Sequence, residues 1–284
     1  MKIIDSISSM QKFSRAARAA GKTIALVPTM GNLHAGHLSL IKIAKNKCDL
    51  VVVSVFVNPA QFGPGEDYKK YPRTLPADFK LLRASGVDIV FCPSARQMYS
   101  ESFQTSVNIR CLSPRLCGIY RPGHFAGVAT VVLKLFNIVN PHVAVFGEKD
   151  YQQQLVIKKM VEDLNYDIKI LTGKTIREEG GLALSSRNRY LNREEKKAAA
   201  TIFQTLQLGA RLIKRGERRP GVVLQALRSF LRKQSRLKVQ YLEILNADDL
   251  TVITKLCTRV LIALAVFVGK TRLIDNIVLD IRGG

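Results

Sequence analysis

His34 and His37 stand three residues apart in the segment Pro28-Thr29-Met30-Gly31-Asn32-Leu33-His34-Ala35-Gly36-His37. The segment follows an apolar, strand-like run and opens a helical pattern, so both histidines share one face at a helix N-terminus. Such an end offers backbone amides without intrahelical partners and the positive end of the helix dipole, and Gly36 lets a ligand approach the backbone. That combination suits phosphates. Imidazoles placed there can donate hydrogen bonds as negative charge moves onto a departing pyrophosphate. A pair of surface histidines is the plain alternative, and the pattern alone weighs the two evenly. That two of only four histidines in the chain fall on this turn favours the phosphate reading. A metal site is disfavoured, because no third ligand of suitable type lies nearby in sequence.

Three further segments carry polar groups where a parallel α/β sheet builds its site. Asn58-Pro59-Ala60-Gln61-Phe62 ends the apolar run Leu50 to Val57. Asn58 and Gln61 each donate and accept hydrogen bonds, which suits a substrate with hydroxyls and a carboxylate; an ordinary Asn-Pro turn is the alternative. Gly147-Glu148-Lys149-Asp150-Tyr151-Gln152-Gln153-Gln154 follows the strand-like His142 to Phe146. There a lysine can pair with phosphate oxygens and Asp150 can hold a ribose or a magnesium-bound water, although a salt-bridged turn fits equally well. Leu184-Ser185-Ser186-Arg187-Asn188 offers two hydroxyls and a guanidinium to a triphosphate, with a simple helix cap as the alternative. Gly173-Lys174-Thr175 and Gly269-Lys270-Thr271 mimic the end of a phosphate loop, but Ile168 and Leu264 stand where its first glycine belongs.

The elements that must position these groups follow from periodicity. Ile3-Ile4 reads as a short strand, followed by an amphipathic helix from Met10 to Ala20 that Gly21 closes. Strand-like runs at Thr23-Val27, Leu50-Val57, Val87-Phe91, Val143-Phe146 and Ile168-Leu171 follow, with helical patterns through Leu38-Ile43 and Phe79-Leu82 between the earlier ones. That alternation predicts a doubly wound, Rossmann-like parallel sheet over residues 1–176, with its ligand crevice at the carboxyl ends of the strands. Beyond Ile176 a helix from Arg193 to about Lys214, a second helix, and strands at Val239-Ile244, Val260-Val268 and Leu273-Leu279 predict a smaller α+β domain over 177–284.

Composition narrows the class. A chain of 284 residues with 47% hydrophobic content can bury a sizeable core. The apolar run Val260-Val268 falls far short of the roughly 20 residues a membrane-spanning helix needs. Lys2, Lys12, Arg15 and Arg18 resemble a transit peptide only superficially, because strand and helix signals begin at once, so a cytoplasmic protein is expected. Five scattered cysteines, Cys48, Cys92, Cys111, Cys117 and Cys257, give neither a disulfide framework nor a metal knuckle and are expected as buried thiols. The net charge of +22 invites a nucleic-acid partner. Yet residues 1–179 hold 24 basic and 14 acidic groups and residues 180–284 hold 20 and 8, so the excess is general. The densest cluster, Arg211, Lys214, Arg215, Arg218 and Arg219, has no interleaved aromatics for base stacking. A solvated basic face, with no nucleic-acid partner, is the expectation.

Taken together and in this order, the four segments resemble those of the pantothenate synthetases, also called pantoate–β-alanine ligases, over Ile3 to about Ile281. Tyr71-Pro72-Arg73-Thr74, Arg121-Pro122-Gly123-His124-Phe125-Ala126-Gly127 and Thr271-Arg272-Leu273-Ile274-Asp275-Asn276 are also similar to that family's. The His-x-Gly-His element alone would imply only the wider nucleotidylyltransferase superfamily. The resemblance implies an ATP-dependent ligase that makes pantothenate from pantoate and β-alanine through a pantoyl adenylate, with Mg²⁺. It implies that Met30, Gly31, Asn32, Leu33, His34, Ala35, Gly36 and His37 contact ATP, with His37 the catalytic histidine. It further implies that Gln61 and Gln153 hold pantoate and that Gly147, Glu148, Lys149, Asp150, Ile176, Leu184, Ser185, Ser186 and Arg187 complete the ATP site. Lys149, Ser185, Ser186 and Arg187 fall on the phosphates in that scheme. A homodimer whose C-terminal domain acts as a lid is implied as well. Lys174 and Gly180 depart from the pattern, where a proline and an aspartate are usual, and both bear on the loop that feeds Ser185.

Overall fold

The computed structural model describes residues 1–257 and 259–281. The chain divides into two compact units that are not simply consecutive. The first comprises Met1–Pro114, Gly118–Glu148 and Gln152–Lys174; the second comprises Thr175 onward together with Arg115–Cys117 and Lys149–Tyr151. The two short excursions carry no local sequence signal, which is why a single boundary near Ile176 was the natural expectation.

The first unit is built on six parallel strands in the order β1-β4-β3-β2-β5-β6. The strands are β1 (Lys2–Ile4), β2 (Ile24–Thr29), β3 (Leu50–Val55), β4 (Ile89–Phe91), β5 (Val143–Gly147) and β6 (Lys169–Gly173). Their connections carry α1 (Ile7–Ala19), α2 (Ala35–Lys45), α3 (Leu75–Ala84), the single turns α4 (Ala95–Met98) and α5 (Cys117–Tyr120), α6 (His124–Val139) and α7 (Tyr151–Asp163). This is the expected doubly wound class. Apolar positions of β3, Val51 through Val55, are buried with only Ser54 interrupting, because a central parallel strand has covered faces on both sides. Leu40, Ile41 and Ala44 of α2 meet Ala25 and Val27 of β2 and Val51 and Val53 of β3 in one core. The chain runs outward through β2, β3 and β4, then resumes at β5 on the other side of β2. The reversal therefore lies between β2 and β5, and the rule for open sheets places the ligand crevice beyond their carboxyl ends.

The second unit packs α8 (Arg193–Lys214) and α9 (Pro220–Arg232) on an antiparallel sheet of β7 (Leu237–Asn246), β8 (Arg259–Val268) and β9 (Thr271–Asp280). A reciprocal cap starts α8: Asn192 accepts from the Glu195 amide and the Glu195 carboxylate accepts from the Asn192 amide. Ile202 and Leu206 of α8, Leu227 and Leu231 of α9, and Ile262, Leu264 and Val266 of β8 form its core. Gly269 and Lys270 are the two-residue turn between β8 and β9, with Gly269 at φ +56°, so this Gly-Lys-Thr is hairpin chemistry.

Only Cys117 matches the expectation of buried thiols; Cys48 and Cys92 are half-buried, and Cys111 and Cys257 are exposed. Cys111 lies in a turn segment and Cys257 in a loop, so neither has a sheet face to cover it. No helix among the described residues is long and apolar enough to cross a membrane.

Candidate active site

The turn after β2 is held by its own sequence. Thr29 donates its hydroxyl to the Ser54 carbonyl (2.8 Å) and accepts from the Gly31 amide (3.2 Å). Gly31 and Asn32 both have left-handed φ, +80° and +51°. A Cβ on Gly31 would lie 3.1 Å from an Asp78 oxygen and from Val55, so glycine is required on both counts. Asp78, from α3, is buried and accepts from the amides of Asn32 (3.0 Å) and Leu33 (2.8 Å) and from the Thr74 hydroxyl (3.1 Å). A built-in carboxylate thus occupies the anion-binding concavity that two successive amides make.

His34 then caps α2. Its Nδ1 accepts from the Gly36 amide (3.2 Å), and the His37 Nδ1 accepts from the His34 amide (3.3 Å), with the rings 4.1 Å apart. The expectation of unused amides at this helix end is therefore corrected. Gly31, Asn32, Leu33, His34 and Gly36 donate to protein acceptors, and the His37 amide bonds the His34 carbonyl. The chemistry passes to the side chains instead. A ring whose Nδ1 accepts carries its proton on Nε2 when neutral, so both histidines are set as Nε2–H donors.

At the end of β3, Asn58 caps the single helical turn Pro59–Gln61. Its Nδ2 donates to the Gln61 Oε1 (3.1 Å) and to the Gly127 carbonyl (3.1 Å), while its Oδ1 accepts from the Tyr99 hydroxyl (2.7 Å) and the Ala60 amide (3.3 Å). Both donors and both lone pairs are used and the residue is 1% exposed, so the structure does not support Asn58 as a group that touches substrate. It orients Gln61. With Oε1 held, the Gln61 Nε2 is directed to the Met30 sulfur (3.3 Å), a weak acceptor that a carboxylate or hydroxyl oxygen can replace.

Beyond β5, Gly147 has no neighbour within 4 Å of a would-be Cβ, which leaves that strand end open. Of the three consecutive glutamines, Gln152 and Gln154 are buried and bonded, to the Leu112 carbonyl (2.9 Å) and the Thr172 hydroxyl (2.6 Å). Gln153 is the partly exposed member. A cavity of about 270 Å³ in this unit is lined by Met30, Gly31, Phe56, Tyr68, Thr74 and Asp78, among others.

The second unit gathers the remaining sequence candidates. Residues 176–184 fold back on themselves: the Leu184 amide bonds the Ile176 carbonyl, Arg177 bridges Ala183, and the Glu178 amide bonds the Leu182 carbonyl. Ile176 and Leu184, at the two ends of this turn, are thereby neighbours. Gly181 makes the turn at φ +86°, and a Cβ on Gly180 would meet only Ala200 at ordinary contact distance, so the departure at Gly180 leaves the turn sterically intact. Lys174 is exposed. Ser185 caps the turn Ser186–Tyr190 by accepting from the Arg187 amide (3.3 Å), and Asn188 ties that turn to Glu178 and to the Ala183 carbonyl. Lys149 lies 3.8 Å from Asp150, whose side chain is about half exposed.

Two adjacent residues of β9 hold these parts within the unit, and neither was given a role on sequence grounds. Asp275, buried, takes a two-pronged bond from Arg177 (2.5 and 3.0 Å), whose guanidinium also stacks on Phe203. The Asn276 amide group donates to the Lys149 carbonyl (2.8 Å). No group of three or more histidine, cysteine, aspartate or glutamate side chains suited to a metal occurs among the described residues.

A doubly wound sheet with histidines and carboxamides at its strand ends defines an α/β enzyme for small polar substrates. Comparison with known proteins makes this specific. The family model for pantoate-β-alanine ligase matches residues 2–278. The pantothenate synthetase of Moorella thermoacetica is 50% identical over 282 residues, 99% of this chain and 100% of that protein. The Thermotoga neapolitana enzyme of the same name is 50% identical over 279 residues, 98% of this chain and all of that one. Among solved structures, the Thermus thermophilus pantothenate synthetase superposes with a TM-score of 0.92 at 41% identity, covering 98% of this chain and 99% of that one. The Francisella tularensis pantoate-β-alanine ligase, solved with an ATP species and β-alanine, gives 0.79 at 36% identity, covering 98% and 97%. The chain belongs to the pantoate-β-alanine ligase family.

Proposed function

We propose that this protein condenses pantoate and β-alanine to pantothenate at the expense of ATP, through a pantoyl adenylate. Family membership over nearly the whole chain supports the reaction, and the observation that carries the site assignment is the pair of histidines whose cap fixes both as Nε2–H donors beyond β2. The pantoate carboxylate attacks the α-phosphorus, the bond to pyrophosphate breaks, and β-alanine's amine then displaces AMP from the mixed anhydride. In this reading His34 and His37 donate to the phosphates as charge grows on the leaving group, with His37 the catalytic histidine. Met30 to His37, Gly147 to Asp150, Ile176 and Leu184 to Arg187 bind ATP. Lys149, Ser185, Ser186 and Arg187 are assigned to its phosphates, and Gln61 and Gln153 to pantoate. The half-exposed Asp150 carboxylate, beside Lys149, would suit a Mg²⁺ ion bound with ATP that takes most of its oxygens from phosphate and water. The same reading makes the protein a cytoplasmic homodimer, which its mass in solution tests.

The decisive assay is AMP release from ATP and Mg²⁺ with pantoate, with and without β-alanine, and with pantoate omitted. Turnover that needs both substrates is the expected result; folded protein inactive with both overturns the reading. His37→Ala should slow adenylation by about 10²-fold or more, the scale of a lost transition-state donor, and a near-normal rate removes His37 from the mechanism.

A further inference from the structure

Glu66, Arg121 and His124 converge on the backbone of the Gln61 turn. The Arg121 guanidinium grips Glu66 with two parallel bonds of 2.6 Å, from Nε and Nη2. Burial opposes ionisation of Glu66, but Arg121 outweighs it and holds the carboxyl below its ordinary range. The other arm of Arg121, Nη1, lies 3.0 Å from the His124 Nε2. A guanidinium has only donors, so this Nε2 must accept, which makes the ring neutral and puts its proton on Nδ1. That Nδ1 lies 2.8 Å from the Gln61 carbonyl oxygen and therefore donates to it, and Arg121 Nη2 adds a longer bond of 3.3 Å to the same oxygen. One turn further along α6, Gly127 sits so close that a Cβ would come within 2.1 Å of the Ala60 carbonyl oxygen. Asn58 fixes the Gln61 side chain from the opposite direction.

One hydrogen bond satisfies a carbonyl at such a turn. Here a salt-bridged arginine and a histidine of imposed tautomer are directed at it, and the residue they immobilise is one whose Nε2 meets a thioether among the described residues. We propose that Arg121 and His124, anchored by Glu66, are positioning residues for the acid substrate, fixing Gln61 so that its carboxamide meets pantoate. This rests on the assignment of Gln61 to pantoate made above. Among the described residues, Arg121 bonds the His124 ring and Glu66 interacts with it electrostatically. A proton taken up on Nε2 would face the guanidinium with no acceptor between them, so acid must break the Arg121–His124 bond and loosen Gln61. Selectivity for pantoate over ATP, and loss of that selectivity in acid, are the signatures that a purely structural role would not give.

The test is KM for pantoate and for ATP in the wild type, H124F, H124N and Q61A from about pH 5.5 to pH 8, where an imidazole changes charge. H124F should raise the pantoate KM about tenfold, the scale of one lost hydrogen bond, and leave the ATP KM within about twofold. In H124N the amide nitrogen stands near the Nδ1 position and does not titrate, so it should recover part of that loss and flatten the acid rise seen in the wild type. An acid rise in H124N as large as the wild type's overturns the proposal, and this comparison stands even if H124F fails to fold. A Q61A effect on pantoate alone, with H124F like the wild type, overturns the positioning role and spares the Gln61 assignment. Equal effects of Q61A on both substrates overturn that assignment and this proposal together.

Discussion

His34 and His37 use Nδ1 to cap α2, so the helix start selects the tautomer that the proposed chemistry needs. Asp78 stands one step behind them. It holds the two amides before the cap, and Asn in its place offers one acceptor oxygen where the carboxylate offers two. Asp78→Asn should cost about 1.5–3 kcal/mol of stability, the range for a bond to a charged group. It should also lower kcat with little change in the pantoate KM; melting curves and steady-state kinetics check both, and an unchanged kcat would separate the turn from the role proposed for the histidines. A different histidine gives a pH prediction. His142 accepts at Nδ1 from the Ile24 amide (3.0 Å), and desolvation, with Arg18 nearby, lowers its pKa below the usual 6.5. The unfolded chain then binds the proton more readily, so His142's contribution is complete above about pH 6.5 and is lost as pH falls through the lower folded value. Urea midpoints across that span should show the loss, and His142→Gln should remove it. Spacing made His34 and His37 legible in the sequence. Asp78 was not, because its partners are amides more than forty residues away and a lone aspartate in a helical pattern reads as a solvated face.

Helix α6 shows where element reading stops. Its sequence from Phe125 to Val139 is rich in β-branched residues and largely apolar, with only the narrow polar stripe of Lys134 and Asn137 to mark a helical period. It is a helix because it is buried along most of its length, with a left-handed Gly123 before it and a left-handed Asn140 after it. The strands β5 and β6 beyond it were legible as short apolar runs, whereas α7, like α6, was not legible as a helix. Gly127 is what lets α6 press on the Pro59–Gln61 turn. Gly127→Ala must displace the Ala60 carbonyl, so it should cost about 1–3 kcal/mol by overpacking and raise the pantoate KM; a variant that binds pantoate normally would mean the turn moves without consequence. In the second unit β9 has the corresponding duty. Asp275→Asn leaves Arg177 without its charge partner at a buried site, and the expected loss of about 3–5 kcal/mol should appear in thermal melts. A variant that melts like the wild type would show that Phe203 stacking and the bond to the Gly181 carbonyl suffice to hold Arg177.

The whole molecule carries 44 basic against 22 acidic residues and an isoelectric point near 10.1, with few exposed ion pairs among the described residues to absorb the excess. Several exposed pairs among the described residues join neighbours in sequence, as Lys197 with Glu194 and Lys159 with Glu162 and Asp163, while Arg259 reaches Asp248 from another segment; such exposed contacts are individually weak. The net effect of the surface charge on folding is therefore repulsive, and the repulsion acts over a length set by ionic strength, about 10 Å at 0.1 M salt. Raising salt from about 0.02 M to 0.3 M should raise the melting temperature, opposite to the behaviour of a fold held by surface salt bridges. The same excess should give retention on DNA that weakens steeply with salt, without sequence preference. Ligase activity should outlast that retention, because the partly buried Arg177–Asp275 and Arg121–Glu66 pairs are screened less than exposed charges. A melting temperature that falls with salt would mean that attractive pairs outweigh the general repulsion. Binding to DNA that persists at high salt would give the basic surface a partner of its own.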